Sequence, residues 1–275
     1  MKFKALNIQN HKIATYHSDG EGETFVFIHA NSIGAASFYK QMMSTEGKKY
    51  RFISIDMPGH GASDFSLQPR EIYTLDSIAQ LMADTINELD INSCVLVGHS
   101  LGAHTALRMI GKSDKIKSLV LANMSPIKDY SNLSDSYIVD DVFNIFFKPK
   151  LNEYDSSKLA QLFIKNDDLA DISFVDNIKN TDPNFRFVLG ESFETDKTND
   201  FDLIEKINIP IAMIFGEKDR IINLNTLKNT DLENKLWRNK IQVISDTGHS
   251  PMWEKPSMFN YVLGEFVKDC TLKQL

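Results

Sequence analysis

Short apolar segments bounded by turn residues recur along the chain and predict β-strands. The later segments are nearly continuous runs of Val, Ile, Leu and Phe rather than alternating apolar and polar positions. Continuous runs are typical of strands covered on both faces, as in a parallel sheet. The predicted strands span residues 12–17, 24–28, 51–55, 94–98, 117–122, 210–215 and 240–245.

Apolar positions with the 3.6-residue period of a helix lie between several of these strands. They predict helices over 73–90, 101–111 and 257–270, the first opened by Thr74 and the last by Pro256. Because strands and helices alternate, the sequence favours an α/β fold with a mostly parallel, doubly wound sheet.

Residues 125–205 break this alternation, with short helical patterns at 136–147, 156–165 and 184–193 and no convincing strand. This segment holds 17 acidic and 8 basic residues, a net charge of −9, whereas the rest of the chain has a net charge of +2. We therefore predict an inserted helical cap (residues 125–205) on a core formed by 1–124 and 206–275. Its acidic side chains either solvate exposed helix faces or contribute to binding.

Composition and charge narrow the function classes. The 275 residues are 42% hydrophobic and 24% charged, which is typical of a globular protein, and the net charge of −7 argues against a nucleic-acid partner. No signal-peptide segment and no apolar stretch near 18 residues is present, so we expect a cytoplasmic protein without a membrane segment. Cys94 and Cys270 cannot form a disulfide framework, and no Cys/His spacing suits zinc, so we predict neither metal nor cofactor.

The most informative motif is Gly98-His99-Ser100-Leu101-Gly102. It follows a predicted strand and precedes a predicted helix, which is the setting of a nucleophile elbow. Glycines flank such a serine because neighbouring backbone passes too close for a Cβ atom. The motif predicts Ser100 as a nucleophile.

A serine nucleophile needs a base that takes its proton. His249 is the best candidate, because it lies on a short loop between the last predicted strand and the C-terminal helix. His29 and His60 lie in turns and are expected to hold loop backbone. His104, one turn into the helix after Ser100, is expected to be packed or solvated.

The base in turn needs an acid that fixes its tautomer. Asp219 lies just past the strand at 210–215, where the carboxyl edge of a parallel sheet would place it. Glu217 and Asp246 compete with it, while Asn123, at the other edge position, cannot supply a charge. The chain order is then nucleophile, acid, base.

Two further loops surround the predicted site. The loop at residues 29–34 follows an early strand and is placed to offer a backbone N–H to an oxyanion, with a second N–H from Leu101. The Gly/Pro-rich turn at residues 56–63 is expected to scaffold the site and not to react.

Taken together, D-x-P-G-H-G-x-S, G-H-S-L-G and D-x-G-H-x-P resemble, in this order and spacing, the α/β-hydrolase superfamily across essentially the whole chain. The resemblance implies an α/β-hydrolase fold: a mostly parallel eight-stranded sheet with helices on both faces and an inserted helical cap. A serine nucleophile separates the chain from the dehalogenases and epoxide hydrolases of that superfamily, which use aspartate.

A closer resemblance is to α/β-hydrolase-type N-acyl-homoserine lactone lactonases, the quorum-quenching enzymes. The residues that carry it are H-x-N-S, S-L-G-x-H, L-W-x-x-K and F-x-x-D-C-T. The chain departs from the usual His-Gly by having Ala30. The resemblance implies the triad Ser100, Asp219 and His249, with Asn31 and Leu101 as oxyanion donors.

The first functional hypothesis is a metal-independent serine hydrolase (an esterase or lactonase) that acts on a small-molecule carboxylic ester or lactone. Apolar side chains of the cap would line its acyl pocket, with Phe143, Phe147 and Phe163 as substrate contacts. Two alternatives stay open: a carbon–carbon bond hydrolase of aromatic ring-cleavage products, and a ligand-sensing homologue with little turnover. The oligomeric state does not follow from the sequence.

Overall fold

The structure is a computed structural model that describes residues 1–165, 172–224, 227 and 231–272. Its centre is an eight-stranded sheet whose strands are β1 Lys2–Ile8, β2 His11–His17, β3 Thr24–Ile28, β4 Arg51–Ile55, β5 Cys94–His99, β6 Ile116–Ala122, β7 Ile211–Gly216 and β8 Gln242–Ile244. The spatial order is β1-β2-β4-β3-β5-β6-β7-β8. Strands β3 to β8 pair in parallel, and β2 is antiparallel to both its neighbours. The predicted mostly parallel sheet is confirmed.

Strand β1 is the one that the apolar pattern did not predict. It forms an antiparallel hairpin with β2 at the sheet edge, and the turn residues Gln9 and Asn10 both have positive φ. The first four residues of β1 are exposed, because only β2 pairs with it. An edge strand without a buried run leaves little apolar signal in the sequence.

Helices cover both faces of the sheet. Alternate residues of β3 show the division: Val26 packs with one apolar cluster and Phe27 with the other. Helices α4 and α5 lie on the first face and α11 on the second. The helices outside the cap are α1 Tyr39–Met42, α2 Glu46–Lys49, α3 Pro69–Ile72, α4 Leu75–Glu88, α5 Leu101–Met109, α10 Pro251–Glu254 and α11 Pro256–Leu272.

The segment between β6 and β7 contains the helices α6 Glu153–Leu162, α7 Ile172–Asn180, α8 Pro183–Phe193 and α9 Asp200–Lys206. Two of the three helices predicted there correspond to α6 and α8. The prediction of one helix over 136–147 is wrong, because only Phe143–Phe147 forms a short 3₁₀ helix. Asp140 accepts the Phe143 N–H and starts that turn, while Tyr137 pairs in extended form with Ile222.

The predicted division into a core of 1–124 and 206–275 and a cap of 125–205 stays a prediction. No helix within the described part of the chain has the length and apolar character needed to span a membrane.

Candidate active site

Ser100 occupies a sharp turn between β5 and α5, with φ 52° and ψ −117°. Both flanking glycines are required by close backbone. A Cβ on Gly98 would lie 2.3 Å from the Gly102 carbonyl oxygen, and a Cβ on Gly102 would lie 2.3 Å from the Ile28 carbonyl oxygen. The strained backbone lifts Ser100 out of the sheet edge, as an elbow does.

The structure brings His249 and Asp219 together as a buried pair. His249 Nδ1 lies 2.8 Å from Asp219 Oδ2, and both side chains are fully buried. The ring of His99, the residue before Ser100, donates from Nε2 to the His249 carbonyl oxygen at 2.7 Å and so holds His249 beside the elbow. Within the described residues, His249 Nε2 has no hydrogen-bond partner. This arrangement leaves Nε2 free to act as a base.

Asp219 is held as a carboxylate. Burial alone would raise the pKa of its carboxyl, but the charge and hydrogen bond of His249 and the donors around it lower this pKa below the usual value. The Asn123 amide donates to Oδ2 at 2.6 Å, and the backbone N–H groups of Ile221 and Ile222 donate to Oδ1 at 2.8 and 3.1 Å. Sequence reasoning gave Asn123 no role beyond excluding it as the acid.

The competing acids lie outside this pair. Asp246 binds Lys165 and Lys218 and is partly exposed, and Glu217 accepts the Asp246 backbone N–H at 2.9 Å. The two lysines neutralise Asp246 at the surface. These interactions of Asp246 and Glu217 do not involve His249.

The predicted oxyanion donors both lie at the same cavity as Ser100. The Leu101 N–H is the first of helix α5 and has no intrahelical acceptor. The side chain of Asn31 is engaged: Nδ2 donates to the Phe146 carbonyl at 3.3 Å, and Oδ1 accepts from Ser32 at 2.8 Å. The side chain of Asn31 thereby fixes the position of its own backbone N–H.

The histidines of the surrounding loops hold backbone, as predicted. His29 Nε2 accepts the Met57 N–H at 2.9 Å, and His60 Nε2 accepts the Ser32 N–H at 3.1 Å. The turn at 56–63 is organised by Asp56, whose carboxylate accepts N–H groups from two loops. These contacts shape the loop that carries Asn31.

A mostly apolar cavity lies against Ser100. Phe143 and Phe147, two of the three predicted substrate contacts, line it. Phe163 is not in its lining; this ring is fully buried and packs 5.6 Å from the ring of His249, centroid to centroid. The cavity is lined by Asn31, Ser100, Leu101, His104, Ile127, Tyr130, Leu133, Tyr137, Phe143, Phe146, Phe147, Leu189, Phe193 and Ile221.

The cavity wall also contains a polar cluster that the sequence analysis missed. His104 is neither solvated nor merely packed: its ring contacts Asp200 and Tyr137, and Tyr130 joins the same group. The available signal was spacing, because residues four apart on a helix share a face, which puts His104 on the side of Ser100. Its partner Asp200 lies in the cap, 96 residues away, and no local motif marks that residue.

Comparisons with known proteins agree with this architecture. A family model described as the alpha/beta hydrolase fold matches residues 23–256. A serine-to-glycine mutant of the N-acyl homoserine lactonase AidH, solved with N-hexanoyl homoserine lactone, is 27% identical, with a TM-score of 0.92 and coverage of 99% of both chains. These matches confirm the predicted fold and the resemblance to lactonases.

Relatives with other activities match as well. A 2-hydroxy-6-oxononadienedioate/2-hydroxy-6-oxononatrienedioate hydrolase of Pseudomonas putida is 24% identical over 278 residues, covering 92% of this chain and 90% of the relative. The non-heme chloroperoxidase CPO-A1 of Kitasatospora aureofaciens is 25% identical over 231 residues, covering 76% and 79%. Similarity of sequence alone therefore leaves the substrate open.

Proposed function

The chain belongs to the alpha/beta hydrolase family, and from that premise we propose that it is a metal-independent serine hydrolase that opens the lactone ring of N-acyl homoserine lactones. The observation that carries the proposal is the likeness to AidH over 99% of both chains, cap segment included. The apolar cavity beside Ser100 supports it, because an acyl chain needs such a lining.

In the proposed mechanism Ser100 Oγ attacks the lactone carbonyl, and His249 Nε2 takes the serine proton. Asp219 accepts from His249 Nδ1–H and stabilises the imidazolium that forms. The backbone N–H groups of Asn31 and Leu101 donate to the oxyanion. The ring C–O bond then breaks, and His249 gives the proton to the ring oxygen, which stays tethered as an alcohol. Water, activated by His249, hydrolyses the acyl-enzyme to a hydroxy acid and frees Ser100.

The charge of the cavity favours this substrate over the ring-cleavage products. A dienedioate carries two carboxylates, and a site for it needs cations. Among the residues that the structure describes, the cavity lining contains neither lysine nor arginine. An acyl lactone is neutral and loses no ionic hydration on entering such a cavity.

The proposal is tested by kinetics of the purified protein with N-hexanoyl homoserine lactone and with ethyl decanoate, an open-chain ester with the same number of non-hydrogen atoms. We expect kcat/KM for the lactone to be well above kcat/KM for the ester. We also expect EDTA to leave the rate unchanged. A lactone opened no faster than the ester would contradict the lactone substrate, and loss in EDTA restored by zinc would contradict the metal-independent mechanism.

Ser100→Ala tests the nucleophile. We expect kcat to fall by at least about 10³-fold with little change in the unfolding midpoint, because the hydroxyl is needed for chemistry and not for packing. The control is Ser134→Ala, because Ser134 is an exposed serine of the cap segment whose hydroxyl donates to the Asn132 side chain. A Ser100→Ala protein with a tenth of the wild-type rate would overturn the serine mechanism.

A further inference from the structure

A second histidine–aspartate pair lies at the wall of the same cavity. Its histidine, His104, is on helix α5, one turn after Ser100. His104 Nδ1 is 2.8 Å from Asp200 Oδ2, and Nε2 is 2.5 Å from the Tyr137 hydroxyl. Both His104 and Tyr137 line the cavity, and the exposed fractions of His104, Asp200 and Tyr137 are 3%, 0% and 7%. The proposed mechanism uses none of these three groups.

The hydrogen bonds around Asp200 indicate which groups donate and which accept in the series Asp200, His104, Tyr137. Its carboxylate accepts the Ile127 N–H at 3.0 Å and the Tyr130 hydroxyl at 3.0 Å, so it is an acceptor throughout. His104 Nδ1 must then carry the proton that it donates to Asp200. We assign the uncharged tautomer to His104, in which Nε2 is an acceptor and the Tyr137 O–H donates to it.

Tyr137 keeps that proton. Burial first, and then the nearby charges of Asp200 and Asp219, hold the pKa of its hydroxyl well above the usual value. The Ser125 backbone N–H lies against the same oxygen. With its O–H committed to His104 and one lone pair facing the Ser125 N–H, the oxygen of Tyr137, a residue of the cavity lining, keeps one lone pair as an acceptor and offers no donor.

We propose that Tyr137, oriented by the His104–Asp200 pair, is a specificity-determining residue whose oxygen accepts a hydrogen bond from the amide N–H of the substrate. This inference rests on the proposed function. An N-acyl homoserine lactone has one N–H donor, next to the ring carbon beside the scissile carbonyl, and in an apolar cavity that donor needs an acceptor. Tyr137 supplies it, and simple alkyl esters and lactones have no group to use it.

The experiment measures ligand binding to the Ser100→Ala protein, which cannot turn the ligand over, by titration calorimetry. The two ligands are N-hexanoyl homoserine lactone and α-hexyl-γ-butyrolactone, which keeps the ring and an alkyl chain but lacks the amide. We expect Tyr137→Phe to raise the Kd of the amide ligand about tenfold and that of the alkyl lactone less than twofold.

Tyr73→Phe is the matched control, because Tyr73 is a buried tyrosine whose hydroxyl donates to Asp182 at 2.7 Å outside the cavity lining. It should lower the unfolding midpoint without separating the two ligands. In the otherwise wild-type protein, Tyr137→Phe should raise KM for the amide lactone more than it lowers kcat.

Three outcomes decide between the proposals. Selective loss of the amide ligand supports the role of Tyr137. That role is overturned if Tyr137→Phe loses affinity for both lactones equally, or for neither. The lactonase proposal would then still stand. Failure of the unsubstituted cavity to bind either lactone overturns the lactonase proposal, and with it this inference.

Discussion

At the residue scale, two side chains at adjacent strand ends depend on unusual backbone. Ser100 follows β5 and Asn123 follows β6, with φ of 52° and 48°. The Ser100 N–H donates to the Ala122 carbonyl at 2.8 Å, which joins the two turns. Positive φ is costly for most side chains, though less so for asparagine, so such positions in neighbouring turns point to function.

Asn123→Gly tests the second of these turns. Glycine accepts the positive φ, so without straining the backbone the change removes the amide that donates to Asp219 at 2.6 Å and to the Gly248 carbonyl at 3.5 Å. Because hydrogen bonds to charged groups are worth about 1.5–3 kcal/mol, we expect kcat to fall at least about tenfold with KM nearly unchanged. Loss of that donor should also raise the pKa of the Asp219 carboxyl. Steady-state kinetics against Asn239→Gly, an exposed asparagine with φ 50°, provides the comparison; equal kcat in the two variants would contradict a role for Asn123.

Single residues were predictable where their signal is local. Ser100 and His249 lie in motifs of five or six residues, and Asp219 lies in the turn just after the buried strand β7. The roles of Asn123 and His104 were not predictable, because each depends on a partner 96 residues away in the sequence that only the folded chain brings near. The backbone at Asn31 was predicted as a donor, whereas the link of its side chain to Phe146 needs the cap in place.

At the scale of elements, helix α8 ties the cap segment to the loop that holds Asn31. Arg186 is buried and donates to the Ser32 hydroxyl at 3.3 Å and to the carbonyls of Ile178 and Lys148 at 3.1 Å. Burial lowers the pKa of its guanidinium to about 10, so it stays charged at neutral pH. One side chain thus joins acceptors of the segment between β6 and β7 to an acceptor in the loop after β3.

Arg186→Met should loosen the packing of helix α8 against the loop that holds Asn31. It leaves buried acceptors without a donor, at about 1–3 kcal/mol each, so we expect a lower unfolding midpoint and a lower kcat/KM as the Asn31 loop moves. Arg70→Met is the control, because it breaks an exposed ion pair between α3 and Glu191 of α8, which is worth at most about 1 kcal/mol. Thermal unfolding and steady-state kinetics of both variants test this role. An Arg186→Met protein as stable as the Arg70→Met protein would contradict the role given to Arg186.

Elements were predictable in proportion to their burial. The inner strands β3 and β5 have no exposed residue and were predicted almost to their ends. The edge strand β1 is largely exposed and was missed. Residues 136–147 contain apolar positions at helical spacing, yet Tyr137 and Ile138 pair with the loop after Asp219, because a tertiary partner outweighs a local pattern there.

At the scale of the whole molecule, the fold buries several histidines in neutral form. Burial is the largest cause that lowers the pKa of His17, His29, His60 and His99, that of His17 to about 4. Two of these rings accept backbone N–H groups, at Met57 and Ser32, and a protonated ring cannot accept. Protonation of these rings at acid pH therefore disturbs both the buried core and the loop that carries Asn31.

This placement predicts a stability that is lost as pH falls from neutrality. In the unfolded chain these histidines bind protons near pH 6.5, but in the folded protein only at lower pH. Between those values the unfolded state holds more protons, so the free energy of unfolding falls with decreasing pH by up to about 1.4 kcal/mol per pH unit for each histidine. The lowered pKa of Asp219 acts at more acidic pH, because its stabilising charge is lost only as pH falls through a folded-state pKa below the usual 3.8. Urea unfolding at pH 5 to 8 measures the slope. His17→Gln, which changes a β2 residue outside the cavity lining, should reduce the slope by one histidine's share between pH 5 and 6.5. A free energy of unfolding that stays constant from pH 8 to 5 would mean that these rings take up protons at the same pH in the folded protein as in the unfolded chain. The acceptor roles of His29 and His60 would then be wrong.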